Sequence, residues 1–268
     1  MSDLNPFRIT WNKNNRAQWD GMLAACKRPS LTQTSTYALA MHELQGMKAD
    51  LGVIRYNKKP IGMVVSHGKP VFRTPGSQTI YRGPLWIHDE IPGEMQKLAF
   101  ELLQKRYRLR AARPVTFHPE LEDTAAHRHQ MVMAGFKRIV DGYETLWLDL
   151  SPSLDALGTG QGQNWRNSLV QGERAGLTII DDPNCDRLDW LIAQHDEHME
   201  LGGYRVASGG LLEALWKHSN ENTGLHLLAA ELDGKPVAGL LPAQHGSAAT
   251  YLVGWAEKTS FWSGLYLA

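Results

Sequence analysis

The clearest run of apolar and polar positions along the chain occurs twice. The first copy is Leu51-Gly-Val-Ile-Arg-Tyr-Asn-Lys-Lys-Pro-Ile-Gly62, continuing through Met63-Val-Val-Ser-His-Gly68. The second is Leu227-Leu-Ala-Ala-Glu-Leu-Asp-Gly-Lys-Pro-Val-Ala238, continuing through Gly239-Leu-Leu-Pro242 to His245-Gly246. Lys59 and Lys235 lie 176 positions apart, as do Leu51 and Leu227. Apolar runs flanking Asn57-Lys58 or Asp233-Gly234 predict β-hairpins, and Asp-Gly supplies the positive φ angles that a tight hairpin turn needs. The proline follows where a returning strand begins and a missing N–H costs little. Turn chemistry is shared by unrelated folds, so the pair alone does not establish a duplication. The elements around it bear on that question.

Residues 1–30 are polar, with Trp11 and Trp19 as anchors. Tyr37 to Leu44 has helical spacing, with Thr34 or Ser35 to cap it. After the first hairpin, Gln78 to Ile87 reads as a strand interrupted at Gly83-Pro84, by a break or a bulge. Gly93 to Tyr107 is an amphipathic helix with Met95, Leu98, Ala99, Leu102, Leu103 and Tyr107 on one face. Pro114 to Phe117 is a short strand. Asp123 to Ala134 is a helix closed at Gly135. Phe136 to Val140 and Glu144 to Leu150 read as two more strands. Ser151-Pro152-Ser153 is the joint.

Beyond the joint come a glycine-rich loop, Gly158 to Gly162, and a helix over Asn164 to Ala175. The strand Leu177 to Ile180 follows, then helices over Arg187–Leu201 and Leu211–Ser219, the second hairpin, and a strand over Thr250–Trp255. The predicted class is α+β (mixed α/β), with two tandem modules at 1–152 and 153–268, each a mixed sheet flanked by helices. Far fewer residues follow Pro236 than follow Pro60 within its module. The second module is therefore expected to be incomplete, with an open sheet edge that suits either shortening or a partner.

Composition narrows the class. The chain has 268 residues, 43% hydrophobic and 21% charged, as soluble globular proteins do. Lys plus Arg and Asp plus Glu number 28 each, so no global field recruits DNA or an anionic membrane. Two isolated cysteines, Cys26 and Cys185, make neither a disulfide framework nor a thiolate metal site, which fits a reducing compartment. No secretion signal or membrane-spanning run is present, and the expected location is the cytoplasm.

Several segments together resemble the Fem-type (FemABX) aminoacyl transferases and their acetyltransferase-like relatives. They are Arg82-Gly-Pro-Leu-Trp86, Gly135-Phe-Lys137, Asn164-Trp-Arg-Asn-Ser-Leu169, Arg174-Ala-Gly-Leu177, Gly234-Lys-Pro-Val-Ala-Gly239 and Ala249-Thr-Tyr-Leu-Val-Gly-Trp255. In order and spacing they span about Tyr37 to Trp255. The resemblance implies two tandem GNAT-like modules and transfer of an activated acyl group onto an amine. The implied donor is aminoacyl-tRNA or acyl-CoA, with no bound cofactor, and the implied acceptor is a cell-wall or polysaccharide precursor. The family's closing helix and Asp-Leu-Gly-Gly strand are missing, and Lys258 to Gly264 departs from its pattern. Besides the aminoacyl transferase, an acyl-CoA-dependent N-acetyltransferase and an inactive, shortened binding module stay open. The last would self-associate through its open sheet edge. Against acyl-CoA, no Gln/Arg-x-x-Gly-x-Gly/Ala loop joins a strand to a helix.

Amide formation from an ester or thioester requires positioning and a polarised carbonyl, not a covalent nucleophile. The substrate-binding candidates are Arg82, Trp165, Arg166, Tyr204, His245, Tyr251 and Trp255; no catalytic residue is assigned. Trp165 and Arg166 open a helix after a glycine-rich loop, where N–H groups and a guanidinium suit an anion; the plainer alternative is a linker and a packed Trp. Arg82 beside Gly83-Pro84 could face a cleft or simply decorate an edge strand. Tyr204, Arg205, Tyr251 and Trp255 could line an acceptor pocket, or be core aromatics. His67 and His245 end the two hairpins as a conceivable base or as neutral packed imidazoles. His195-Asp-Glu-His198 lacks zinc-hydrolase spacing and reads as a solvated helix face. The basic run Arg106 to Arg113 either steers phosphate or offsets a helix dipole.

Overall fold

Both hairpins form, and they are the same object. In the computed structural model, which describes residues 6–69, 76–88, 91–108, 115–142, 144–204 and 206–257, Asn57 and Lys58 have φ +48° and +67°, and Asp233 and Gly234 +51° and +74°. Positive φ at both central residues matches the right-handed twist of the flanking strands. The likeness continues past the proline. Pro60 pairs with Arg55 and Gly62 with Ile54, so Ile61 is an extra residue. Pro236 pairs with Glu231 and Ala238 with Ala230, so Val237 is extra. The two bulged residues are 176 positions apart, and both are buried.

The same strand order surrounds each hairpin. Sheet one runs β1 (Phe7–Trp11), β2 (Lys48–Tyr56), β3 (Lys59–Gly68), β4 (Gln78–Tyr81) and β6 (Val115–His118), with β5 (Leu85–Trp86) also on β3. Sheet two runs β7 (Thr178–Asp182), β9 (Leu227–Leu232), β10 (Lys235–His245) and β11 (Ala248–Ala256), with β8 (Thr223–Leu225) on β10. Helices α1 (Arg16–Ala24) and α2 (Ser35–Gln45) lie in sequence between β1 and β2. Helices α7 (Leu188–Gly202) and α8 (Gly209–Lys217) hold the same place between β7 and β9. Beyond β4 come α3 (Gly93–Arg108), β6 and α4 (Ala125–Met133); ahead of β7 come α5 (Leu154–Gly160) and α6 (Gln163–Arg174). The fold is mixed α/β, in two sheets flanked by helices.

The chain divides into two compact units. One comprises residues 1–142, 210–224 and 243–250; the other comprises 143–209, 225–242 and 251–268. In the first, sheet one is covered on both faces. Trp19, Leu23 and Cys26, from α1 and the turn after it, pack on Val53, Met63, Val65 and Leu85. Ala99, Leu103 and Tyr107 of α3 pack against Ile54, Ile61, Val64 and Ile80. Residues 53 and 54, like 64 and 65, thus point opposite ways, as a strand buried on both sides requires. In the second unit α7 presses on β10 at Gly239, where a Cβ would stand 2.8 Å from Leu191 Cδ1.

A buried carboxylate holds the first unit's separate segments together. Asp20 is 1% exposed and accepts from Ser35 N (3.1 Å), Ser35 Oγ (2.5 Å) and Asn220 Nδ2 (3.0 Å). Arg16, 3.8 Å away, donates with Thr36 Oγ1 to the His218 carbonyl. At the rim, Glu43 meets Lys217 at 2.8 Å and His218 at 2.7 Å. Hydrogen bonds from Lys217, then His218, hold the Glu43 carboxyl below its usual range.

The polar N-terminal stretch forms elements that its pattern did not predict: β1 carries an alternating Phe7, Ile9 and Trp11, and α1 opens on an Asn15–Gln18 capping box. Two expectations need correcting. The supposed loop at Gly158 is the last turn of α5, started by the Ser153 cap. Phe136 to Val140 and Glu144 to Leu150 are not strands; described residues there are irregular, with Ile139 and Leu146 largely exposed. Their alternation is a strand's, but a strand exists only by pairing. Among the described residues β6 is laddered on its β4 side alone.

Candidate functional site

Polar chemistry in the first unit gathers where β4 breaks. Thr79 pairs with His67 and Leu85 with Met63, leaving two more residues on the β4–β5 side than on β3. Gln33, fully buried, fills the resulting gap. Its Oε1 accepts from Val65 N at 2.7 Å, and its Nε2 donates to Tyr81 O at 2.6 Å and Val65 O at 3.4 Å. Thr32 Oγ1 also donates to Tyr81 O, at 3.2 Å. Next comes Arg82 at φ +50°, then the cis Gly83-Pro84 bond.

The Arg82 guanidinium makes two parallel hydrogen bonds of 2.9 Å to Glu120, both side chains being more than four-fifths buried. Strands β4 and β6 are parallel with Tyr81 opposite His118, which brings residues just past each strand together. Tyr81 stacks on His118 with ring centroids 5.5 Å apart, and Tyr37 meets His67 edge-on at 5.5 Å. Burial, then the neighbouring Tyr81, pushes the Tyr37 phenol up to about 12. His67 Nε2 is 3.1 Å from Thr32 O, and a carbonyl only accepts, so Nε2 carries the hydrogen. Burial lowers the His67 pKa, so the ring is neutral and Nδ1 bare, without a hydrogen-bond partner among the described residues.

His245 enters the same unit from the end of β10. It is 1% exposed, with Nε2 2.8 Å from Thr250 Oγ1 and a buried Nδ1 without a hydrogen-bond partner among the described residues. Burial and the Arg82 charge lower its pKa to about 4. The following turn holds it there. Gly246, at φ +60°, donates its N–H to Asn222 O at 2.9 Å, and a Cβ would fall 2.9 Å from Ala24 Cα. Gly246→Ala is therefore expected to destabilise by about 2 kcal/mol, joining left-handed strain to a backbone clash. Gly234→Ala, at φ +74° in open space, should lose only the strain part, about 1 kcal/mol. Urea unfolding of the two variants checks the difference.

The second unit groups aromatics. Trp255 of β11 meets Trp190 of α7 edge-on at 5.6 Å, and Tyr204 meets His198 at 5.9 Å. Burial and the nearby Tyr204 raise the Tyr251 pKa, so its phenol remains a hydrogen-bond donor at neutral pH. Trp165 and Arg166 lie on α6. Arg166 donates to Thr159 O at 3.1 Å, Gln161 O at 2.7 Å and Gln163 Oε1 at 2.5 Å.

Of the residues singled out from sequence, Arg82 and His245 thus share one unit, and Tyr204, Tyr251 and Trp255 the other, while Trp165 and Arg166 sit apart from those aromatics in sequence, on their own helix. Arg205, residues 109–113 of the basic run, and Lys258 to Gly264 lie outside the described residues. Arg106 caps the Trp11 ring at 4.0 Å and pairs with Asp50 at 3.0 Å. His195 Nε2 donates to the Ala207 carbonyl at 2.8 Å. Sequence reasoning missed Gln33, Glu120, Trp190 and the Tyr81–His118 stack. Only the broken strand at Gly83-Pro84 signalled that something must fill a gap nearby. Among the described residues no three His, Cys, Asp or Glu side chains gather as a metal site, and no helix is long and apolar enough to cross a membrane.

Residues 161–263 match the profile of the acetyltransferase (GNAT) domain family. No curated protein matches the sequence. Among solved structures, FemX is similar over 96% of this chain and 82% of its own, at 14% identity and a TM-score of 0.73. A conserved protein of unknown function from Bacteroides thetaiotaomicron is similar over 88% of this chain and 75% of its own, at 14% identity and TM-score 0.51.

Proposed function

We propose, from a chain with the fold of FemX and a GNAT domain match over residues 161–263, that this protein is an amide-forming acyltransferase. The carrying observation is that match falling on the second unit's sheet, whose hairpin repeats the first in turn and bulge. Tyr204, Tyr251 and Trp255 are assigned to the acceptor and Trp165 and Arg166 to the donor's anionic carrier, while Arg82 and His245 are assigned to substrate binding in the first unit. In the reaction an amine nitrogen forms the new C–N bond as the donor's ester C–O bond breaks. One amine proton is lost and the leaving oxygen gains one. This step requires no covalent nucleophile; positioning and fixed donors suffice.

The preferred donor is aminoacyl-tRNA and the preferred acceptor an amine of a cell-wall or polysaccharide precursor, with the reaction placed in the cytoplasm. The GNAT profile favours a second reading, an acyl-CoA donor. Charged tRNA and acetyl-CoA, each added to the purified chain, separate the two. Binding of tRNA that weakens by orders of magnitude between 50 and 200 mM salt supports the first. Thermal stabilisation by acetyl-CoA alone supports the second. Binding of neither, with no amide formed on a muropeptide amine, would sink both.

A further inference from the structure

The filler of the β3–β4 gap does more than complete a ladder. A side-chain amide presents a donor and an acceptor in one plane, as a peptide group does, and so can stand in for a missing rung. Gln33 does so on both strands: Val65 N–H and C=O on one side, Tyr81 C=O on the other. The Tyr81 carbonyl and the Arg82 nitrogen belong to one rigid peptide plane. Pinning that oxygen fixes the orientation from which Arg82 enters its left-handed conformation. On the far side of Arg82, Gly83 packs so closely that a Cβ would stand 2.9 Å from Gln33 Oε1. The amide therefore touches both neighbours of Arg82. It is itself anchored, because Trp19 Nε1 donates to the Gln33 carbonyl at 2.9 Å.

We propose that Gln33 is a positioning residue for Arg82, holding the turn that carries the guanidinium onto Glu120. This rests on the assignment of Arg82 to substrate binding for its significance, but not for its test. A purely structural Gln33 would support the core without bearing on the arginine; a positioning Gln33 changes the arginine first.

The test is hydrogen exchange at arginine Nε–H, followed by NMR on the full chain with labelled arginine. Arg106, ion-paired with Asp50 and with a buried Nε, is the internal control. Gln33→Met keeps the length and removes every side-chain hydrogen bond. It should speed exchange at Arg82 at least tenfold and leave Arg106 unchanged. Gln33→Glu keeps an acceptor for Val65 N–H but has no donor for Tyr81 O, and should show the same selective loss. Should either fail to fold, Gly83→Ala displaces the amide without altering Gln33 and should give the same pattern. Unchanged Arg82 exchange in a folded variant, or equal acceleration at both arginines, overturns the proposal. No substrate enters the experiment, so its failure is distinct from failure of the acyltransferase reading.

Discussion

Replacing Asp20 with alanine is expected to lower stability by about 3 kcal/mol, read as a shift of the urea midpoint at unchanged slope. The carboxylate accepts three hydrogen bonds in a place solvent does not reach. Its removal strands the Ser35 N–H and hydroxyl and leaves the Asn220 amide only its 3.5 Å bond to Thr36 Oγ1, and unpaired buried donors are costlier than the bonds they made. Arg16 would also lose its carboxylate neighbour. Asp20→Asn keeps one acceptor oxygen and the volume, and should lose roughly half as much. The effect should also be topologically specific. Asn220 is 200 residues away in sequence, so proteolysis in Asp20→Ala should first appear around residues 210–224. An alanine variant as stable as the parent would mean the network is decorative.

The second large effect is acid sensitivity centred on His245. In the unfolded chain this imidazole titrates near its ordinary 6.5; in the folded protein burial and Arg82 bring it to about 4. Between those values the unfolded state binds a proton that the folded state refuses. Stability is thus fully present above about pH 6.5 and falls as pH drops toward 4. The span corresponds to about 3 kcal/mol. His67, lowered by burial, acts with the same sign. His245→Gln removes one titration, so the gap between variant and parent should close by about that amount between pH 7.5 and 4.5. Parallel stability curves across that range would show that His245 does not remain neutral when folded.

Much of the architecture was legible because it rests on local rules. Asn57-Lys58 and Asp233-Gly234 mark their turns, and the helical spacing of Met95, Ala99, Leu102 and Leu103 marks α3, although Leu98, expected on that face, is exposed and Phe100, left off it, is buried. The errors arise where local pattern and tertiary pairing part company. Leu146, Leu148 and Leu150 alternate as a strand would, yet the ladder that would recruit them is absent among the described residues. The site was harder. Arg82 could be nominated from its place beside Gly83-Pro84, but Glu120 follows another strand and meets it only because β4 and β6 are in parallel register. Gln33 looks like any polar loop residue. Its role depends on a gap left by residues more than 30 positions away, which no spacing encodes.

The surplus residue in each hairpin has one last effect. Ile61 and Met63 share the same parity, yet Ile61 lies with Ala99 of α3 while Met63 lies with Trp19 of α1. The bulge inverts the strand's facing midway, so odd-numbered side chains serve one helix before it and the opposite helix after it. Deleting Ile61 would close β3 into a regular ladder, Pro60 opposite Arg55 and Gly62 opposite Ile54, leaving Met63 to His67 on their present partners and faces and losing only the side chain packed with Ala99.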